Sequence, residues 1–164
     1  MKKLSNLMNL SGKTVFITGG AGYLGTSMSH ALAELGANIV IGSRDGNKCK
    51  KKEKTLENEY GIKAMGIEVN ILDVSSIAST LKILIDKFGT LDILINNAWS
   101  GKKNTFESIS YDEWNYDINM CLNAVFYTTK EASEYLKASK GVIVNITSMY
   151  GHVAPDYRIY DGKE

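Results

Sequence analysis

Gly19, Gly22 and Gly25 recur at three-residue spacing directly after the apolar run Val15-Phe16-Ile17-Thr18. An apolar run, a glycine cluster and then an amphipathic segment read as a strand, a tight turn and the start of a helix. Glycine tolerates positive φ and carries no Cβ, so a turn built from it can approach the phosphates of a ligand. The helix that follows aims unpaired N–H groups and its positive dipole end at that anion. The chemistry implied is dinucleotide binding, with Gly19, Gly22, Tyr23, Leu24 and Gly25 as its candidate residues.

Four further groups fall after apolar runs, where ligands bind in open α/β sheets. Ile41-Gly42 leads into Ser43 and Arg44. A carboxylate there would accept from the adenosine ribose and repel a 2′-phosphate. Arginine instead pairs with a phosphate bidentately, which favours NADP, while the nearby Asp45 keeps NAD open. Asp73, followed by Val74, is equally suited to accept from an adenine amino group or to act as a turn or cap. Asn97 and Ala98, in the run Asn96-Asn97-Ala98-Trp99, are placed to fix loops and bond a ribose. Ser148, ending Asn145-Ile146-Thr147-Ser148, offers a hydroxyl to a substrate carbonyl oxygen as charge develops on it.

These groups need a scaffold of alternating strands and helices. Strands are expected at Thr14–Thr18, Asn38–Ile41, Ala64–Val69, Leu91–Ile95 and Val142–Ile146. Helices are expected at about 23–35, 48–60, from a Ser75 or Ser76 cap to Phe88, and from about Tyr111, with Asp112 as a cap, to Lys137. Gly36, Gly61 and Gly89 stand where helices stop. The alternation implies an α/β fold, a three-layer, doubly wound parallel sheet of at least five strands. The tail from Met149 reads as loop. On the long helix, Trp114, Ile118, Leu122, Val125 and Phe126 have helical spacing and read first as core.

The 164 residues suffice for one core. A net charge of +1 gives no case for nucleic acid or an anionic membrane. The run Lys48-Cys49-Lys50-Lys51-Lys52 reads as a solvated helix start. No apolar stretch is long enough to span a bilayer, and Met1–Asn6 has no export-type apolar core. Cys49 and Cys121 form no motif, so a reduced cytoplasmic setting is the expectation. His30 and His152 are isolated, so no metal is assigned.

Together, Thr18-Gly19-x-x-Gly22-x-x-Gly25, Asp73-Val74, Asn96-Asn97-Ala98 and Asn145-Ile146-Thr147-Ser148 resemble the short-chain dehydrogenase/reductase family, from Leu10 through Ser148. The resemblance implies a Rossmann fold, a nicotinamide cofactor and hydride transfer between that cofactor and a small carbonyl or alcohol. It places Asp73 and Val74 by the adenine, Asn97 and Ala98 by the ribose, and Ser148 on the substrate oxygen. Helix pairing in the family implies a homo-oligomer for a complete chain.

Several positions depart from the pattern. The glycine spacing is that of the family's extended branch, which includes sugar-nucleotide epimerases and dehydratases. Trp99 stands where the shorter branch has glycine. Cys121 stands at the catalytic asparagine, with Asn119 and Asn123 two residues to either side. The family's Tyr-x-x-x-Lys pair is absent: Tyr160 is followed by Lys163 and then Glu164, and Tyr157 by Asp161. The pair matters because a phenol needs a nearby cation to ionise at neutral pH. The expectation is a single dinucleotide-binding domain over residues 1–164, incomplete at its carboxyl end, with catalysis impaired. The tail resembles a subgroup linked to surface-sugar and flagellin-glycan biosynthesis, which extends the substrate class to sugar-derived compounds. A non-catalytic nucleotide-binding module and a sugar-nucleotide enzyme are the alternatives.

Overall fold

The apolar runs become five parallel strands, of which the three inner ones are buried on both faces. A computed structural model describes residues 8–101, 105–154, 156 and 158. The expectations placed on Met1–Asn6 and on Pro155, Tyr157 and 159–164 lie outside the described residues. The strands are β1 (Thr14–Thr18), β2 (Asn38–Ser43), β3 (Ala64–Glu68), β4 (Ile93–Asn96) and β5 (Val142–Asn145), in sheet order β3-β2-β1-β4-β5. All four neighbouring pairs are parallel. The order reverses between β1 and β4, where a doubly wound sheet opens a crevice.

Val15 and Ile17 of β1 join Ile39 and Ile41 in one buried cluster, while Phe16 joins Val40 and Leu94 in another. The first cluster is covered by α1 (Tyr23–Glu34) and α2 (Gly46–Tyr60), through residues such as Ala33 and Leu56. The second is covered by α3 (Val74–Phe88) and α5 (Ala124–Ser139), through Ile77, Leu81, Leu84 and Leu136. Helices on both faces explain why these strands read as near-continuous apolar runs. Buried Asp92 accepts from the Thr14 N–H at 3.0 Å and the Lys13 ammonium at 2.8 Å, tying the entry to β4 to the start of β1.

Several boundaries move, each for a local reason. The β2 strand runs on to Ser43 because Gly42 pairs with Thr18 on one side and Ile67 on the other. Asp45 caps α2 by accepting from the Lys48 N–H at 2.9 Å, so the helix starts at Gly46. Asp73, not Ser75 or Ser76, caps α3: its backbone is extended where the helix begins at Val74, and its carboxylate takes both serine N–H groups. Ser110, not Asp112, caps α4 (Tyr111–Ile118), in a reciprocal box with Glu113.

The long helix is not continuous. A single π-type turn, Asn119–Asn123, separates α4 from α5. The inward stripe is Met120, Ala124, Thr128, Ala132 and Leu136, spaced by four. Trp114, Ile118, Leu122 and Phe126 therefore face out, Leu122 at 64% exposed and Phe126 at 59%, and Val125 is only half-buried. They are not core. At the other end of the sheet, β5 is an edge strand whose residues are all exposed.

Candidate functional site

The glycine turn works by contact. Gly19 has φ +65°, and a Cβ there would lie 2.8 Å from the Ala98 Cα and 3.1 Å from the Asn97 side-chain nitrogen. A Cβ on Gly25 would collide with the Gly19 carbonyl oxygen and lie 2.7 Å from the Gly20 Cα. The turn is thus as tight as backbone permits, and only glycine fits at these two points. Gly22 caps α1, so the first N–H groups of that helix open at the turn.

The loop after β4 is locked onto this turn. The Asn97 side chain donates to the carbonyls of Thr18 (3.0 Å) and Gly19 (3.2 Å). The Thr18 hydroxyl accepts from the backbone N–H groups of Asn97 and Ala98 and donates to the Ile95 carbonyl. These bonds hold the ends of β1 and β4 together at the point where the strand order reverses.

A cleft of about 580 Å³ lies over the turn. Its walls come from the carboxyl ends of four strands: Gly19 to Gly25 after β1, Gly42 to Asp45 at β2, Val69 to Leu72 after β3, and Asn97 to Ser100 after β4. Gly19, Gly22, Tyr23, Leu24, Gly25, Ser43, Arg44, Asn97 and Ala98 line one space. Gly42 forms floor where a Cβ would meet Phe16 and Val69, both at 2.8 Å. The Ser43 hydroxyl is 3.0 Å from the Cys49 sulfur behind the cleft. Burial raises the Cys49 thiol pKa, against the lowering effect of the Ser43 bonds.

Four of the expected residues do not line this space. Asp73 and Val74 start α3, and one Asp73 oxygen, Oδ1, serves the cap. The Ser75 hydroxyl and N–H hold its carboxyl below the usual range. Ser148 lies beyond β5, exposed, and its oxygen accepts from the Tyr150 N–H at 3.2 Å in a 3-10 turn, Met149–Gly151. The Ile146 N–H bonds the Asn96 carbonyl, so this loop leaves the sheet beside β4. Cys121 is exposed in the π-type turn, and Asn119 and Asn123 bond each other at 2.7 Å.

Residues missed from the sequence include Val69 to Ile71, Ser100, Lys48 and Met120, while Trp99, singled out there as a departure, also lines the cleft. The segment after β3 was findable from the strand-end rule alone. Met120 was not, because it reaches the cleft from a helix whose register changes beside it. His30 lies between α1 and α2, its Nδ1 3.0 Å from the Tyr60 hydroxyl. Among the described residues no group of three or more His, Cys, Asp or Glu side chains could hold a metal ion, and no helix is long and apolar enough to cross a membrane.

A parallel, doubly wound sheet with a glycine cradle at its switch point defines a Rossmann-type dinucleotide-binding class. A profile of the short chain dehydrogenase family matches residues 13–160, and the chain belongs to that family. It is 33% identical over 146 residues to the 3-oxoacyl-(acyl-carrier-protein) reductase of Vibrio harveyi, covering 88% of this chain and 58% of that protein. The alcohol dehydrogenase of Thermococcus sibiricus, solved with 5-hydroxy-NADP, superposes with a TM-score of 0.82 at 26% identity, over 87% of this chain and 61% of that one. An NAD+-bound xylitol dehydrogenase superposes at 0.81 with 25% identity, over 89% and 56%. The chain spans 58% of the length of the curated relatives it matches first.

Proposed function

We propose that this chain is the cofactor-binding part of an NADP(H)-dependent oxidoreductase acting on the carbonyl or alcohol group of a small molecule. The observation that carries this reading is the cradle: Gly19 and Gly25 admit no Cβ, and the α1 N-terminus opens into a 580 Å³ cleft beside them. In this reading the turn holds the pyrophosphate, Arg44 meets the 2′-phosphate, and Asn97 and Ala98 face the ribose. Asp73 retains Oδ2 for an adenine amino group. When bound, the nicotinamide supplies or takes up the hydride. Ser148 donates to the substrate oxygen, and Cys121 replaces an amide with a poorer hydrogen-bonding group, which slows proton movement. The similarity to NADP- and NAD-bound dehydrogenases supports the cofactor class, and Arg44 supports the phosphorylated form.

The test is titration with NADPH and NADH, followed by cofactor fluorescence. Tight NADPH binding and weaker NADH binding are expected; binding of neither would remove the reading. A second reading, a nucleotide-binding module without catalysis, is favoured by the lack of a Tyr-x-x-x-Lys pair in residues 1–164, together with Cys121, and predicts binding with no NADPH oxidation by any carbonyl compound. Sugar-derived carbonyls belong in that substrate panel. The exposed face of Trp114, Ile118, Leu122 and Phe126 supports a homo-oligomer, which light scattering measures. The free thiols of Cys49 and Cys121 support a reduced, cytoplasmic setting.

A further inference from the structure

We propose that Tyr116 is a positioning residue for Arg44, holding its guanidinium across the cleft so that the site distinguishes a 2′-phosphate from a ribose hydroxyl. The proposal rests on the cofactor reading above.

Arg44 and Tyr116 are 72 positions apart; Arg44 and Ser100 line the cleft, and Tyr116 bonds both. Arg44 follows β2, whereas Ser100 follows β4 and Tyr116 lies on α4. One guanidinium nitrogen of Arg44, Nη1, is 3.5 Å from the Tyr116 hydroxyl, and Nη2 is 3.5 Å from the Ser100 hydroxyl. Tyr116 itself donates to Ser100 at 3.1 Å, so its oxygen keeps lone pairs for Arg44.

The two partners differ in stiffness. Arg44 is exposed and long, and free in solution it would lose much rotamer entropy on binding. Tyr116 is half-buried, and its ring packs against the core cluster that contains Met120, itself a cleft residue. A tyrosine has two χ angles, so its hydroxyl is a fixed post. The nearest carboxylate in sequence, Asp45, is occupied at the α2 cap by the Lys48 N–H.

The length of the contacts decides their role. At 3.5 Å they are long for N–H···O bonds. They aim the guanidinium without satisfying it, and a phosphate dianion forms shorter, charge-assisted bonds with the donors left over. Tyr116 therefore orders Arg44 before the ligand arrives and does not compete for it.

The experiment measures NADPH and NADH dissociation constants for the wild type, Tyr116→Phe, Arg44→Ala and the double variant. Tyr116→Phe is expected to weaken NADPH by roughly three- to tenfold, the cost of ordering one long side chain at binding. NADH should stay within about twofold, and Tyr116→Phe should add nothing in the Arg44→Ala background. Ser100→Ala, in the half-buried loop after β4, should weaken NADPH in the same direction and serves if the phenylalanine variant misfolds. Tighter NADPH binding by Tyr116→Phe would overturn the proposal, because the hydroxyls would then be sequestering Arg44. Equal losses for both cofactors, or an undiminished loss without Arg44, would overturn it too. A wild type with no preference for NADPH, or an Arg44→Ala variant that keeps the preference, removes the cofactor reading itself and the proposal with it.

Discussion

Gly19 and Gly61 have the same φ, +65°, yet only one of them should matter to the site. An alanine in this left-handed region costs about 1–2 kcal/mol wherever it stands. At Gly61, the C-cap of α2, a Cβ would meet nothing within 4 Å, so that strain is the whole effect. At Gly19 the same Cβ lies 2.8 Å from the Ala98 Cα and 3.2 Å from its Cβ. It would also press on the Asn97 amide, which donates to the Thr18 and Gly19 carbonyls. Forced overpacking adds about 1–3 kcal/mol. Gly19→Ala should therefore cost roughly 2–5 kcal/mol and Gly61→Ala about 1–2. At about 2–4 °C of Tm per kcal/mol, the two separate clearly in a thermal scan. Because the clash sits in the cradle, Gly19→Ala should also weaken NADPH by about tenfold or more, the effect of losing roughly 1.4 kcal/mol of contact, while Gly61→Ala leaves binding alone. Equal destabilisation by the two alanines would refute the packing argument. Unchanged NADPH binding in Gly19→Ala would refute the placing of the phosphates at this turn.

Asp92→Asn should lower the urea midpoint by the equivalent of about 1–3 kcal/mol, since an amide cannot keep both the Lys13 ammonium and the Thr14 N–H as an ionised carboxylate does. Burial pushes the Glu53 carboxyl up, but the Gly66 N–H and the Lys50 ammonium outweigh it, leaving the group below the usual 4.5. Its stabilisation is thus complete above about pH 4.5 and is lost as pH falls through the lower folded value. Unfolding curves of wild type and Glu53→Gln should converge in acid and differ most near neutrality; a constant gap would contradict this. Iodoacetamide should label Cys121 in the native protein and Cys49 only after unfolding, because the first thiol is exposed and burial raises the pKa of the second. Peptide mapping before and after denaturant checks it.

The inner strands were legible in the sequence because both of their faces are covered. Runs such as Val15-Phe16-Ile17 and Leu94-Ile95 leave no other place for themselves than a buried strand. Caps were less legible, since several residues near each start could serve. Asp73 takes the N–H groups of Ser75 and Ser76, which lie inside the helix, and Ser110 prevails over Asp112 through the return bond from Glu113. The long helix was misjudged because helical spacing shows which residues share a face but not which way that face points. Trp114, Ile118, Leu122 and Phe126 do share one, and it points outward on both sides of the π-type turn at Asn119–Asn123, while the smaller Ala124, Thr128 and Ala132 point in.

The site divides along the same line. Its floor is made of backbone, and backbone demands show in sequence as glycines: Gly19 and Gly25 could be read because no other residue fits there. Its far wall is made of side chains that meet only after folding. Arg44 stands just after β2, but nothing near it in sequence says that its guanidinium meets the Tyr116 and Ser100 hydroxyls. The same holds for Asn96, whose side chain joins Asn145 at 2.8 Å and Thr129 at 3.2 Å, and so couples β4, β5 and α5 beneath the loop that bears Ser148. In the proposed reading the glycine turn defines the class of ligand, and discrimination within that class falls to contacts between segments that the crossovers bring together.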